Sequence, residues 1–246
     1  MSPPPSPPLA PGELACFFWS GETIRSRSVS GTVLCGKVAV PAPPALLTAD
    51  WEREIALQLQ LEAGDVEPLS LPRARMRWTD YKHCVQAVAD WTRSLGLQEV
   101  LAGADVALMA CRGAKYHHDG VQYGGMAFCN LFLSDDKGMD LHFPVAGRRI
   151  PLSRGTVVIF DTGQPHAVIE RGSSGFDAAA FGPGRDCSTV FLSWELPIED
   201  AHVVHALGIR LDTDPAMAAL LDEGRLCRHG AAATVCAASG RWSETD

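Results

Sequence analysis

No run of about 18 uncharged apolar residues occurs in the 246-residue sequence, which excludes a membrane-spanning helix. Positive charge is scarce. The 21 Lys and Arg are outnumbered by 29 Asp and Glu, leaving a formal net charge of −8. Duplex binding is driven by neutralising phosphates, so neither a nucleic acid nor a membrane is the expected partner. No C-x-x-C pair joins any of the cysteines at 16, 35, 84, 111, 129, 187, 227 and 236. Several lie inside apolar runs and read as buried thiols of a reducing compartment, with the cytoplasm as the expected location. There is no G-x-S-x-G elbow and no P-loop, so serine hydrolase and nucleoside-triphosphatase chemistry have no support. The opening Met1-Ser-Pro-Pro-Pro-Ser-Pro-Pro also lacks the charged and apolar regions of a secretory leader.

What the chain has is enough apolar material, 46% of residues, to build one core without covalent staples. Residues 1–13 form a proline-rich lead expected to lack fixed structure. From 14 to 105 the pattern predicts strands followed by supporting helices. Trp51, Ile55 and Leu59 mark a helix to about Leu61, and a longer one begins at Thr79 or Asp80 with Tyr81, Cys84, Val85, Val88 and Trp91 in a stripe. Arg73, Arg75 and Arg77 alternate with Ala74, Met76 and Trp78, which predicts a strand with one basic face. Residues 106–196 contain six short apolar runs cut by glycine and proline, the signature of a β-sandwich or barrel. Residues 197–246 read as a helical extension, with Asp214-Pro215 opening one helix. The expected fold is mainly β with flanking helices, one domain overall.

The chemistry concentrates in Lys115-Tyr-His-His-Asp-Gly120. In an extended strand His117 and Asp119 project to one side and His118 to the other. An imidazole and a carboxylate so placed supply two donors of a metal site, and His166, following Phe160-Asp-Thr-Gly-Gln-Pro, is the candidate third. Two histidines and one carboxylate with open positions form the facial triad of non-heme Fe(II) oxygenases. His142, Tyr116, Tyr123 and Asn130 are candidates to line a pocket around it. His202, His205, Cys227 and His229 are too scattered to make a zinc site.

The segment 106–196 resembles the double-stranded β-helix, a jelly-roll and cupin-like core, of the Fe(II)/2-oxoglutarate-dependent dioxygenases in their prolyl-hydroxylase-like branch. The motifs stand in the family's order. His117-x-Asp119 resembles its H-x-D. Asn130 to Asp136 and Lys137-Gly-Met-Asp-Leu-His-Phe-Pro144 resemble the strands that follow. Leu152-Ser-Arg-Gly-Thr-Val-Val-Ile-Phe160 resembles the run leading to the distal histidine. The resemblance implies Fe(II) held by His117, Asp119 and His166, with 2-oxoglutarate as cosubstrate and O2 as oxidant. It also implies a basic residue for the far carboxylate of 2-oxoglutarate. Arg185 is the preferred candidate, Arg171 its rival, and Ser188 or Thr189 can add a hydroxyl. The tyrosine that prolyl hydroxylases place on the strand Met126–Leu133 is missing. Gly172 to Gly184 reads as an inserted loop, expected to close over the pocket.

The resulting expectation is a dioxygenase hydroxylating a C–H bond of a small polar molecule, amino-acid-like or a natural-product intermediate. A protein side-chain hydroxylase is the alternative within the class, and a non-catalytic cupin-like metal module is the alternative outside it. Asp119 favours hydroxylation, because related halogenases leave that position open for chloride. Oligomeric state is left open.

Overall fold

The computed structural model describes residues 13–182 and 184–244, so the proline-rich lead lies outside the described residues except for Glu13. Strands β1 (Leu14–Ser20) and β2 (Thr23–Ser28) form a hairpin turned at Gly21, and β3 (Val33–Lys37) follows. Helix α1 (Ala45–Arg53) starts earlier than Trp51, directly after Pro44, whose fixed φ suits a helix entry. It runs on into a wider turn over Glu54–Leu59 that stops at Gln60 in the left-handed region, φ 48°. After β4 (Val66–Leu69) the expected basic strand is instead helix α2 (Leu71–Arg77). Ser70 accepts from the amide of Arg73, and Pro72 sits in the first turn, where its missing N–H costs nothing. Ala74 and Trp78, four apart, turn inward against Trp51, while Arg73 pairs with Glu54 and Arg77 with Asp50. The alternation in sequence is therefore the outer face of a helix. Helix α3 (Tyr81–Ser94) is as predicted, with Cys84 and Val88 buried and Gly96 ending it at φ 80°.

Eight strands then distribute between two facing sheets, switching sheet at every step except from β8 to β9. They are β5 (Val106–Cys111), β6 (Ala114–His117), β7 (Met126–Phe132), β8 (Met139–Phe143), β9 (Arg148–Pro151), β10 (Thr156–Asp161), β11 (His166–Glu170) and β12 (Thr189–Pro197). One sheet runs β3-β10-β7-β12-β5-β4 and the other β6-β11-β8-β9, every pairing antiparallel. The strand order β10-β7-β12-β5 over β6-β11-β8-β9 is that of a double-stranded β-helix, a jelly roll. The larger sheet is apolar on both faces. Cys129, Leu131, Val157, Ile159, Leu192 and Trp194 face the helices, packing with Trp51, Trp78 and Val88. Their neighbours Phe132, Val158, Phe160 and Phe191 face the second sheet, against Leu141, Phe143 and Val168.

The segment 197–246 is not the helical extension its composition suggests. Two short helices, α4 (Ala201–Leu207) and α5 (Pro215–Ala218), the latter capped by Asp214 as expected, give way to β13 (Arg225–Arg228), β14 (Ala231–Val235) and β15 (Trp242–Glu244). These join β1 and β2 in the sheet β15-β14-β13-β1-β2. The turn between β13 and β14 is His229-Gly230, at φ 52° and 81°, the paired positive φ that a tight hairpin requires.

Candidate metal centre and its cavity

Each ligand is placed by a local device. The pairing of β6 with β11 shifts register between His166 and Val168. Ala114 lies in the inner core while Tyr116 packs on the outer face with Ala167 and Ile169. A bulge re-phases a strand in this way, and here it leaves His117 directly opposite His166, ring centroids 4.4 Å apart. Asp119 is brought in by the loop after β6, its amide donating to the Thr162 carbonyl at 2.8 Å in the turn before β11. Ligand atoms of His117, Asp119 and His166 all lie within 4.8 Å of one another, and they form the one such group among the described residues.

The donor set suits a divalent transition metal. His117 Nδ1 lies 2.7 Å from the Lys115 carbonyl and His166 Nδ1 lies 3.0 Å from the Gln164 carbonyl. A carbonyl only accepts, so each Nδ1 carries the proton and each Nε2 keeps a lone pair. Those two Nε2 atoms stand 3.7 and 3.5 Å from the Asp119 carboxylate oxygens. Burial, reinforced by the neighbouring His117, pushes His166 down to about 3, so this ring is neutral at physiological pH. Burial also raises the Asp119 carboxyl, against the pull of His117 and His118. A cation held by the three ligands would offset that desolvation.

Behind the ligands stands an ion pair closed to solvent. Arg27 on β2 reaches both oxygens of Asp161, at 2.7 and 2.8 Å, and its Nε donates to the Gly124 carbonyl at 2.6 Å. Asp161 accepts further from the amides of Ser30 and Gly163. The turn leading to His166 and the loop following Asp119 are thus tied to one guanidinium.

The triad lines a cavity of about 270 Å³ between the two sheets. Strand register orders its walls. Glu195, Phe128 and Phe160 are aligned across β12, β7 and β10 at the metal end, with Tyr123 packed on Phe128 at 5.0 Å. One step along come Ser193 and Asn130, whose Oδ1 is buried without a partner. The far end is closed by Phe132, Phe191, Cys111, Ala114, Leu141 and Val168. Among the described residues no lysine or arginine lines this cavity.

The structure does not bring Arg185, Ser188 or Arg171 to the triad's cavity. Arg185 is exposed and pairs with Glu170 at 2.8 Å. Arg171 is held by Asp136 and Asp140, each at 2.9 Å. Ser188 lies beside Arg112 in a separate cleft of about 1080 Å³. Phe181 of the inserted loop lines that cleft too, stacked on Phe176 at 5.4 Å. His142 and Tyr116 pair with each other outside the cavity at 2.5 Å, and His118 faces Trp242. His202 and His205 sit exposed on α4. A metal therefore fits the residues present. A dicarboxylate does not, because its distal charge meets no cation. Glu195, Ser193 and Phe191 were not singled out in sequence. Their signal is the alternation along β12, where every second residue faces inward.

No family model matches the sequence, and no curated protein matches it. Among solved structures, a viral collagen prolyl hydroxylase from Paramecium bursaria Chlorella virus-1 superposes with a TM-score of 0.41 at 9% identity, over 67% of this chain and 89% of that one. The same hydroxylase in its 2OG complex gives 0.36 at 10% identity, over 67% and 94%. The non-heme alpha-ketoglutarate-dependent epimerase SnoN from nogalamycin biosynthesis gives 0.33 at 13% identity, over 71% and 83%. The fold assignment rests on the strand order, not on these likenesses.

Proposed function

We propose that this chain is a mononuclear non-heme iron oxygenase that hydroxylates a C–H bond of a small molecule, drawing two electrons from a 2-oxo acid. The observation that carries the reading is the convergence of His117, Asp119 and His166 at one end of a cavity between the two jelly-roll sheets, with both Nδ1 atoms committed to carbonyls. His117, Asp119 and His166 would hold a divalent iron, which would supply the activation of dioxygen. The chain's own residues do the rest. Lys115 and Gln164 carbonyls fix the two imidazole tautomers. Phe128 and Phe160 form an apolar wall beside the ligands, Phe160 lying 4.8 Å from the His166 ring. Glu195 and Tyr123, both partly exposed beside Phe128, supply the polar contacts for a substrate. A cavity of about 270 Å³ suits a small substrate better than a folded protein. A cytoplasmic setting accords with the free cysteines, all eight unpaired. No helix among the described residues is long and apolar enough to cross a membrane.

Anaerobic titration with Fe(II) tests the centre: one equivalent should bind, and Asp119→Ala should abolish that binding while the circular dichroism spectrum is kept. Oxygen uptake by the iron-loaded protein, stimulated by 2-oxo acids, should follow. Iron binding without any uptake would favour the non-catalytic cupin-like module, and undiminished iron binding by Asp119→Ala would refute the centre.

A further inference from the structure

We infer that the 2-oxo acid accepted by this cavity carries an uncharged, apolar tail and is not 2-oxoglutarate. The inference rests on the functional reading above and concerns what lies beyond the metal. The 2-oxo carboxylate end would be the same in every such acid, so the far end of the cavity decides between them. That end is unfavourable to an anion. Its walls are Phe132, Phe191, Cys111, Ala114, Leu141 and Val168, and no basic side chain among the described residues faces it. The polar atoms between the two ends belong to Asn130 and Ser193. An amide, whichever way it is turned, and a hydroxyl bring no charge. Burying a carboxylate without a counter-ion is costly, whereas an alkyl tail gains by leaving water for such walls. The arginines that sequence offered as anchors are engaged elsewhere, Arg185 with Glu170 and Arg171 with Asp136 and Asp140.

The closest test pairs two acids of the same shape. In 5-methyl-2-oxohexanoate an isopropyl group takes the place of the distal carboxylate of 2-oxoglutarate. Each is titrated into the anaerobic Fe(II) protein, and the dissociation constant is read from the charge-transfer absorbance of the chelate. The neutral-tailed acid should bind at least about tenfold more tightly. Phe191→Arg, which sets a guanidinium at the far end of the cavity, should reverse the order. The wild-type ratio decides the matter even if that variant does not fold. Equal or tighter binding of 2-oxoglutarate by the wild type overturns the inference and leaves the oxygenase reading standing. Binding of iron but of neither acid overturns the inference and the 2-oxo acid part of that reading together. Failure to bind iron overturns the metal centre itself.

Discussion

Arg27 and Asp161 form a two-pronged ion pair with no solvent exposure on either side chain, and both triad-bearing loops hang from it. Burial alone would weaken the charge on Arg27, but Asp161 more than compensates and holds the guanidinium protonated. All three donor nitrogens of Arg27 are used, on Asp161 and on the Gly124 and Ser28 carbonyls. The pair works as the common anchor of the metal ligands.

Removing one partner strands a buried charge. Arg27→Ala should cost roughly 3–5 kcal/mol of unfolding free energy. Urea denaturation of the metal-free protein measures it. A cost below about 1 kcal/mol would mean that Asp161 is solvated in solution.

Acid should weaken the metal-free fold through His166. Its folded value of about 3 lies below the ordinary 6.5, so the unfolded chain binds a proton that the folded one refuses. The stability it contributes is complete above pH 6.5 and is lost as pH falls from there towards 3. Between pH 6.5 and 5 the loss is at most about 2 kcal/mol. His118, lowered by burial, acts in the same direction, and the raised Asp119 opposes both. Wild type should therefore lose more stability over that interval than His166→Gln, measured by urea denaturation at both pH values. Equal losses would place the ring in water.

Much of this site was legible because its signals are local and periodic. Strand alternation puts His117 and Asp119 on one side, although the strand ends at His117 and a loop bonded to Thr162 delivers Asp119, and His166 follows a glycine turn between two apolar runs. The basic helix Leu71–Arg77 was misread because three arginines at every second position satisfy a strand as well as the outside of a helix. Only Trp51, distant in sequence, decides which face turns inward. The C-terminal strands were hidden for a similar reason: small residues such as Ala231, Ala232 and Ala233 signal little, and their pairing with β1 through β13 is long-range. Arg185 looked like an anchor by its order along the chain, but order does not give direction. Glu170 at the end of β11 claims it instead.

Gly124 is a close-packing position, not a flexible one. A Cβ there would stand 2.6 Å from the Gly120 carbonyl oxygen and 2.9 Å from Phe18 Cβ. Gly124→Ala must therefore displace the loop that carries Asp119. Metal affinity should drop by about 10–100-fold, as when an outer support of a ligand is lost. Gly31→Ala, which meets nothing within 4 Å, is the control and should bind metal as wild type does. Equal affinities in the two variants would show the loop to be tolerant.

The last prediction concerns the two displaced arginines. Arg185 is exposed and its carboxylate partner Glu170 sits at the end of β11, and neither lines the cavity. Arg185→Ala should leave the affinity for every 2-oxo acid within about twofold of wild type, because a screened surface pair contributes little even to stability. Arg171 differs in one respect. It bonds Asp140, which is 6% exposed and keeps only Arg149 at 4.0 Å when Arg171 is removed. Arg171→Ala should thus cost about 1 kcal/mol in stability while 2-oxo acid affinity is unchanged. Both variants are measured by the same anaerobic titration, with thermal melting alongside. A loss of tenfold or more in Arg185→Ala, with melting unchanged, would mean that this side chain leaves Glu170 and enters the cavity when ligand binds. The neutral-tail inference would then fall.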